Sequence, residues 1–262
     1  MSVTSLDRQA RATSFGSAAE DYARYRPAPP EEAADWAVGP SPGLVVDLAA
    51  GTGNLARQLM RAADRVLAVD IDRRMLAALG RRLPAVARVK ARGEELPFVS
   101  AAVGAVVISS AWHWLDPDRA WPEIARVIRP GGAFAVMWSG PDRSVAWVEA
   151  VLGRREADGT RDAAAHPAAG ERAGRRRWQV DLPVGMPFSE VEECTFTAGV
   201  PYKVVDLPRL AASYSRIMVL SAAARRAAME EVAARAATRP ELAMDSTVDL
   251  PLRCRVWRAV RT

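Results

Sequence analysis

The sequence predicts an α/β fold built on a doubly wound, mostly parallel sheet with helices on both faces. Short apolar runs of strand length alternate with stretches that repeat apolar residues at helical spacing. The early runs are apolar on both faces, as a parallel strand covered by helices on two sides must be. A glycine turn follows the first of them, where a sheet of this class opens to a ligand.

Residues 1–40 stand outside the alternation. Ser17–Arg24 reads as a short helix and Arg26-Pro27-Ala28-Pro29-Pro30 as a stiff linker, so a lid segment is expected. The core is expected over 41–140. Its strands are Leu44–Leu48, Val66–Val69, Val86–Val89, Val103–Ile108 and Ala133–Trp138. Asn54–Ala63 reads as the helix after the glycine turn, and Arg73–Arg82 carries Met75, Leu76 and Leu79 on one face. Arg119–Ile128 brings Trp121, Ile124, Ala125 and Ile128 together, and Arg129-Pro130-Gly131-Gly132 stops that helix and turns the chain. Val145–Ala157, Leu207–Val219 and Ala222–Ala237 read as helices, Thr195–Val205 as strand-like and Val248–Val260 as a last strand. A cap is therefore expected over 141–240, with a mobile basic loop at 158–177, and the final core strand within 241–262. No internal repeat is present.

Composition narrows the function. The 262 residues suffice for one well-buried domain with a modest elaboration. The net charge of +5 raises nucleic acid as a partner. However, only Lys90 and Lys203 are lysines, and Gly153–Trp178 alone holds seven arginines against four acids. A solvated basic loop explains that surplus, so nucleic acid is not the expected partner. Cys194 and Cys254 form no CxxC pattern, and with His113 and His166 the only histidines no metal site is expected. Leu96–Leu115 lacks charged residues but is interrupted by Pro97 and Gly104, so it reads as strand plus loop rather than a membrane span. With no signal peptide at Met1–Gly16, a cytoplasmic protein is expected. Oligomeric state is not readable.

The turn Asp47-Leu48-Ala49-Ala50-Gly51-Thr52-Gly53 carries the first chemical signal. Glycines there let a ligand approach the backbone, and the following helix offers free N–H groups to an anionic moiety. Asp70 ends the second strand 17 residues beyond Gly53, where a carboxylate can accept both hydroxyls of a ribose. Two ligand classes remain open on this evidence, because Gly51-Thr52-Gly53-Asn54-Leu55-Ala56 also satisfies the dinucleotide fingerprint of NAD(P)-dependent oxidoreductases.

Further segments favour one class. Asp47–Gly53 resembles motif I of the class I S-adenosylmethionine-dependent methyltransferases, with Ala49 replacing the first glycine. Val69-Asp70-Ile71-Asp72 is similar to their second motif, and Arg92-Gly93-Glu94-Glu95-Leu96-Pro97-Phe98 to the segment after strand three. Ser110-Ala111-Trp112-His113-Trp114-Leu115-Asp116 resembles the segment after strand four, and Ile128–Gly132 the "LRPGG" turn. Phe15-Gly16 with Tyr22–Pro27 resembles the N-terminal segment of the "type 11-like" small-molecule subgroup. The resemblance runs nearly unbroken from Phe15 to Trp138.

It implies a seven-stranded Rossmann-like sheet and S-adenosyl-L-methionine as cofactor, held by Asp47, Ala49, Gly51, Gly53, Asp70, Ile71, Met75, Gly93, Glu94, Ser110, Tyr25 and Arg26. Arg26 is the candidate for the cofactor's carboxylate. It further implies methyl transfer by in-line displacement to oxygen, nitrogen or sulfur of a small-molecule acceptor. Trp112, Trp114, Tyr22 and Tyr214 are the candidates for acceptor binding, and His113 for a general base. Against these roles stands a plainer one, in which His113 orients a loop and the tryptophans are core. Competing readings of the whole are a cofactor-binding protein without methyl transfer, an NAD(P)-dependent oxidoreductase, and RNA methylation through Arg154–Arg177.

Overall fold

The structure, a computed structural model, describes residues 19–40, 42–153, 180–218, 220–243 and 245–262, with the backbone alone at 215 and 216. The basic loop expected at 158–177, Phe15-Gly16 and the start of the first expected helix lie outside the described residues. Seven strands form one sheet in the order β3-β2-β1-β4-β5-β7-β6. They are β1 Leu44–Leu48, β2 Arg65–Asp70, β3 Ala87–Lys90, β4 Val103–Ser109, β5 Ile128–Pro141, β6 Glu192–Lys203 and β7 Thr247–Val260. β1 to β5 run parallel, while β7 is antiparallel to both of its neighbours. From β1 the chain steps outward to β2 and β3, then returns to β1's other side as β4. That reversal opens a crevice at the carboxyl ends of β1 and β4.

Side chains alternate along β4 and β5 and give the sheet two unlike faces. Val106, Ile108, Phe134, Val136 and Trp138 point to one face, where α5 (Pro117–Val127) covers them with Trp121 and Ile124. Trp112, Trp121, Phe134, Phe188 and Trp257 interlock there, with ring centroids 5.1–5.9 Å apart for the pairs Trp112–Trp121, Trp121–Phe134, Trp121–Phe188 and Trp121–Trp257. Ala105, Val107, Ala133, Ala135 and Met137 point to the other face. There α2 (Glu31–Val38) lays down Ala33, Ala34 and Ala37, beside Leu55 and Leu59 of α3 (Asn54–Ala62). Small residues on both sides of that seam let helix and sheet approach closely.

Several elements differ from expectation. α2 follows directly on the proline run; its buried face is mostly alanine, which gives weak apolar periodicity. β3 is an exposed edge rather than a strand covered on both faces. The Arg129–Gly132 turn lies inside β5, as an irregularity between the Val103–Ile128 and Ala105–Ala133 pairs. Beyond the core, α6 (Ala146–Leu152), α7 (Leu207–Ala212), α8 (Ser215–Met218) and α9 (Ala222–Ala237) pack round Val148, Leu152, Leu207, Leu210, Val232 and Leu250. Leu207–Val219, expected as one helix, is interrupted at Ser213-Tyr214. β6, placed in the cap by sequence, is a strand of the sheet. Residues 247–251 of β7 continue past the end of β5 and pair with β6 alone, so the β6–β7 ribbon reaches beyond the carboxyl edge where the helices gather. Among the described residues no helix is long and apolar enough to cross a membrane, and no metal-binding group of acids, histidines and cysteines occurs.

Candidate active site

The turn after β1 is held by backbone bonds in a shape that suits glycine. Ala50 N–H donates to Val69 O at 3.0 Å and Gly53 N–H to Ala50 O at 3.0 Å. Ala49, Gly51 and Gly53 all adopt left-handed φ, at 57°, 56° and 86°. Ala49 thus adopts a left-handed conformation that glycine takes more readily, at a steric cost of roughly 1–2 kcal/mol for a residue with a Cβ. Ser110, at the end of the adjacent β4, has φ 56° as well. Two strained non-glycine residues therefore flank the crevice. A Cβ on Gly51 would meet nothing within 4 Å, so that side of the turn faces open space.

Asp70 closes the turn from β2. One carboxylate oxygen accepts the Gly51 N–H at 2.8 Å and the other the Asp72 N–H at 2.8 Å. Each oxygen keeps a lone pair, which leaves a pair of acceptors at the strand end. Burial raises its pKa, against the pull of the surrounding amides. Asp47 is more deeply enclosed. Burial holds its carboxyl well above the ordinary range, opposed by the Ala56 N–H and reinforced by the charge of Asp70. Its Oδ2 has no hydrogen-bond partner among the described residues.

The segment after β3 is fastened from behind. Glu123 on α5 accepts the Leu96 N–H at 2.8 Å, and Arg126 donates to Phe98 O at 2.6 Å and Leu96 O at 3.0 Å while pairing with Glu123 at 2.8 Å. Glu94 accepts the Asp116 N–H at 2.9 Å, tying this segment to the one after β4. Leu115 and Leu48 pack against Gly93, where a Cβ would lie 2.6 Å from Leu115 Cδ2 and 3.3 Å from Leu48 Cδ2. Met75 sits between α4 (Arg73–Arg82) and α1 (Ala19–Tyr25), against Ala19 and Ala78. Ile71 is half-buried beside Asp70.

The aromatic triplet divides. Trp112, a candidate for acceptor binding, packs its ring against the core, 5.4 Å from Trp121 and 5.5 Å from Phe134. His113 and Trp114 stay half-buried, with their rings 4.6 Å apart.

The N-terminal strap and the cap meet above this end of the sheet. Arg26 donates to Ser213 Oγ and Ser213 O, both at 3.2 Å, and its guanidinium lies 3.9 Å from the Tyr214 ring and 4.9 Å from that of Tyr22. Arg26, the candidate for a cofactor carboxylate, thus directs its Nε and Nη2 at the cap. The Tyr202 hydroxyl donates to Tyr25 O at 2.9 Å, and burial raises that phenol's pKa. The Tyr214 hydroxyl is buried with no partner among the described residues, beside Gly140, whose missing Cβ would lie 3.1 Å from it. Asn54 Nδ2 donates to Arg26 O at 3.0 Å and Gln58 Nε2 to Pro29 O at 2.9 Å, binding the strap to α3. Arg82 donates to Thr52 O at 2.7 Å and Asn54 Oδ1 at 2.9 Å, so the strap and the glycine turn share one network. Of these supports only Glu123 and Arg126 carried a sequence signal, their i,i+3 spacing on a helix.

Comparison with known proteins agrees with this architecture. Residues 46–136, which hold the turn, Asp70 and the segments after β3 and β4, match a family model described as a methyltransferase domain. An uncharacterized methyltransferase of Mycobacterium tuberculosis (strain ATCC 25618 / H37Rv) is 35% identical over 250 residues, 93% of this chain and 94% of that protein. One from Schizosaccharomyces pombe is 28% identical over 203 residues, 75% of this chain and 76% of its own length. In fold, a putative type II methyltransferase structure from Anaeromyxobacter dehalogenans superposes with a TM-score of 0.62 at 24% identity, covering 90% of this chain and 98% of that one. Likeness extends well past the matched domain, through strap, cap and final strands, and the chain belongs to the class I methyltransferases, which use S-adenosylmethionine as methyl donor.

Proposed function

We propose that this methyltransferase acts on oxygen, nitrogen or sulfur of a small molecule enclosed between the strand ends, the strap and the cap. The observation that carries this reading is the closure above the crevice. Arg26 joins strap to cap through Ser213 and Tyr214, and Tyr202, near the end of β6, holds the strap through Tyr25. A roof with this many polar fastenings suits a small acceptor better than a duplex, and no array of exposed aromatic rings offers a base-stacking surface among the described residues.

The residues at the β1–β4 crevice fit the cofactor's nucleoside. Asp70 offers two acceptors to ribose hydroxyls, Ile71 an apolar side to the adenine, and Gly51 the open space a ligand needs for close approach. Ala49, Gly53 and Ser110 shape the floor, Asp47 holds the turn from below, and Gly93 and Glu94 set the adenine-side wall. Met75 acts indirectly, through the α1–α4 contact. When bound, the cofactor supplies an electrophilic methyl on a good neutral leaving group, so the protein's task is mainly alignment and exclusion of water. His113 and Trp114 stand on the acceptor side, His113 as general base. Tyr22 and Tyr214 line the roof from the strap and the cap.

Incubation with methyl-labelled cofactor and pooled metabolites tests the reading. Label transferred to a small molecule is expected. Label transferred only to RNA, or to nothing while the cofactor binds, overturns it. A pH–rate profile for His113→Ala that keeps both limbs removes the general-base role.

A further inference from the structure

The two edges of the sheet are unlike. β3 is four residues long and carries Arg88 and Lys90, a short basic edge of the kind that discourages pairing. β6 is twelve residues long, about 40 Å, and pairs with β7 in unbroken register from Glu192–Arg258 to Lys203–Thr247. Among the described residues no strand lies on its outer side. The seven residues Cys194–Val200 carry no charge and are rich in residues that favour strands. Such an edge is a template for another strand.

The direction of each backbone group along β6 can be read. Val204 N–H donates to Ser246 O at 3.0 Å, continuing the register of the ladder, so even-numbered residues bond to β7. Odd-numbered residues therefore point their N–H and C=O outward. Pro201, which has no N–H to give, sits in the outward set, as a strand proline should. The exposed side chains of Glu193, Thr195, Thr197, Gly199, Pro201 and Lys203 lie on one face and the half-buried ones of Cys194, Phe196, Ala198, Val200 and Tyr202 on the other.

We propose that β6 pairs antiparallel with β6 of a second copy of this chain about a twofold axis at Ala198, making one continuous sheet across a homodimer. Only outward-pointing residues can exchange backbone bonds, which limits the register to odd opposite odd. Within that set, centring on Ala198 sets Glu193 opposite Lys203 at both ends, Thr197 opposite Gly199 and Thr195 opposite Pro201. The other face then pairs Phe196 with Val200, Cys194 with Tyr202, and Ala198 with itself. Opposite charges and aromatic–β-branched pairs each favour an antiparallel pairing, and no like charges face one another. About ten backbone hydrogen bonds would form, those at Pro201 being single. A shift of two residues either way separates Glu193 from Lys203. The interface lies at the far edge of the sheet from β1, so both crevices stay open.

Light scattering on the purified full chain tests this. A mass twice 28.3 kDa is expected. Thr197→Pro removes an outward N–H and leaves the β7 ladder intact, so it should be monomeric with an unchanged far-UV spectrum. Lys203→Glu should weaken the dimer roughly tenfold or more by opposing like charges at both ends, and Glu193→Lys combined with it should restore the association. Ala198→Cys should form an intermolecular disulfide under mild oxidation, because directly opposed residues of a non-hydrogen-bonded pair lie about 4.5 Å apart at Cα. The wild-type chain should not, since Cys194 faces Tyr202. That cross-link decides the matter if Thr197→Pro fails to fold. A monomeric wild type, including one that dimerises only when residues 154–179 are deleted, overturns the proposal. So does a dimer that survives Thr197→Pro, or a charge reversal that the second change does not rescue.

Discussion

The amide of Gly51 and the carboxylate of Asp70 meet at 2.8 Å, so the acid at the end of β2 also fixes the turn after β1. Removing it should disturb both the site and its frame. Asp70→Ala is expected to weaken S-adenosylhomocysteine binding about ten- to a hundredfold, the range for losing charge-assisted hydrogen bonds worth about 1.5–3 kcal/mol. Calorimetric titration measures it; an unchanged affinity removes Asp70 from the ribose.

Arg26 offers a sharper contrast. Working through the cap, it should support ligands whether or not they carry a carboxylate. Arg26→Ala is expected to weaken S-adenosylhomocysteine and 5′-methylthioadenosine by the same factor, and the Tyr214→Ala loss should not add fully to it. A loss confined to the amino-acid-bearing ligand would assign Arg26 to the cofactor's carboxylate instead.

Asp47 gives a pH dependence with a defined sign. Burial raises its folded-state pKa above the value of 3.8 that the unfolded chain approximates. The folded state then binds the proton more tightly, so this group's effect on stability worsens as pH rises from 3.8 toward the raised value. Urea midpoints of the wild type and Asp47→Asn should therefore diverge with rising pH, in favour of the variant. Parallel curves would show that Asp47 does not titrate abnormally.

The clamp behind the β3 segment acts in the opposite sense. Its hydrogen bonds to Arg126, together with the Leu96 amide, hold Glu123 below its ordinary value, although burial opposes them. Its contribution is present above 4.5 and lost as pH falls below it. Arg126→Ala should cost about 1–3 kcal/mol by stranding Glu123 and two carbonyls, read as a lower urea midpoint. A loss below that range would mean the segment holds itself.

Ala49 tests strain directly. Ala49→Gly should stabilise the fold by up to about 1 kcal/mol, the left-handed penalty less the greater chain entropy of glycine. Destabilisation would show that the Ala49 methyl packs usefully against its neighbours.

Much of this was legible from residue order. Continuous apolar runs located β1, β2 and β4, because strands buried on both faces leave little room for polar residues. Arg73–Arg82 and Ala222–Ala237 were read to the residue. Helix α2 was missed because a helix laid against a sheet of alanines and valines has small residues on its buried face. β3 was legible as a strand but not as an edge, since position within a sheet depends on strand order. Candidate site residues with short-range signatures, Asp70 and the glycines, stood out. Arg82, Asn54, Ser213 and Gly140 did not, because their roles arise from contacts between segments tens to hundreds of residues apart. Trp112 shows the same limit: the triplet's place was readable, but which ring turns inward was not.

The antiparallel ribbon of β6 and β7 joins floor and roof in one piece. Cys254 and Val256 on β7 belong to the sheet's core, while Leu250 and Leu252 on the same strand anchor the cap. Any tilt of the roof must therefore bend a ribbon whose root is clamped, as a diving board bends from its fixed end. Substitutions along 247–252 should therefore change how firmly the cap is held over the sheet.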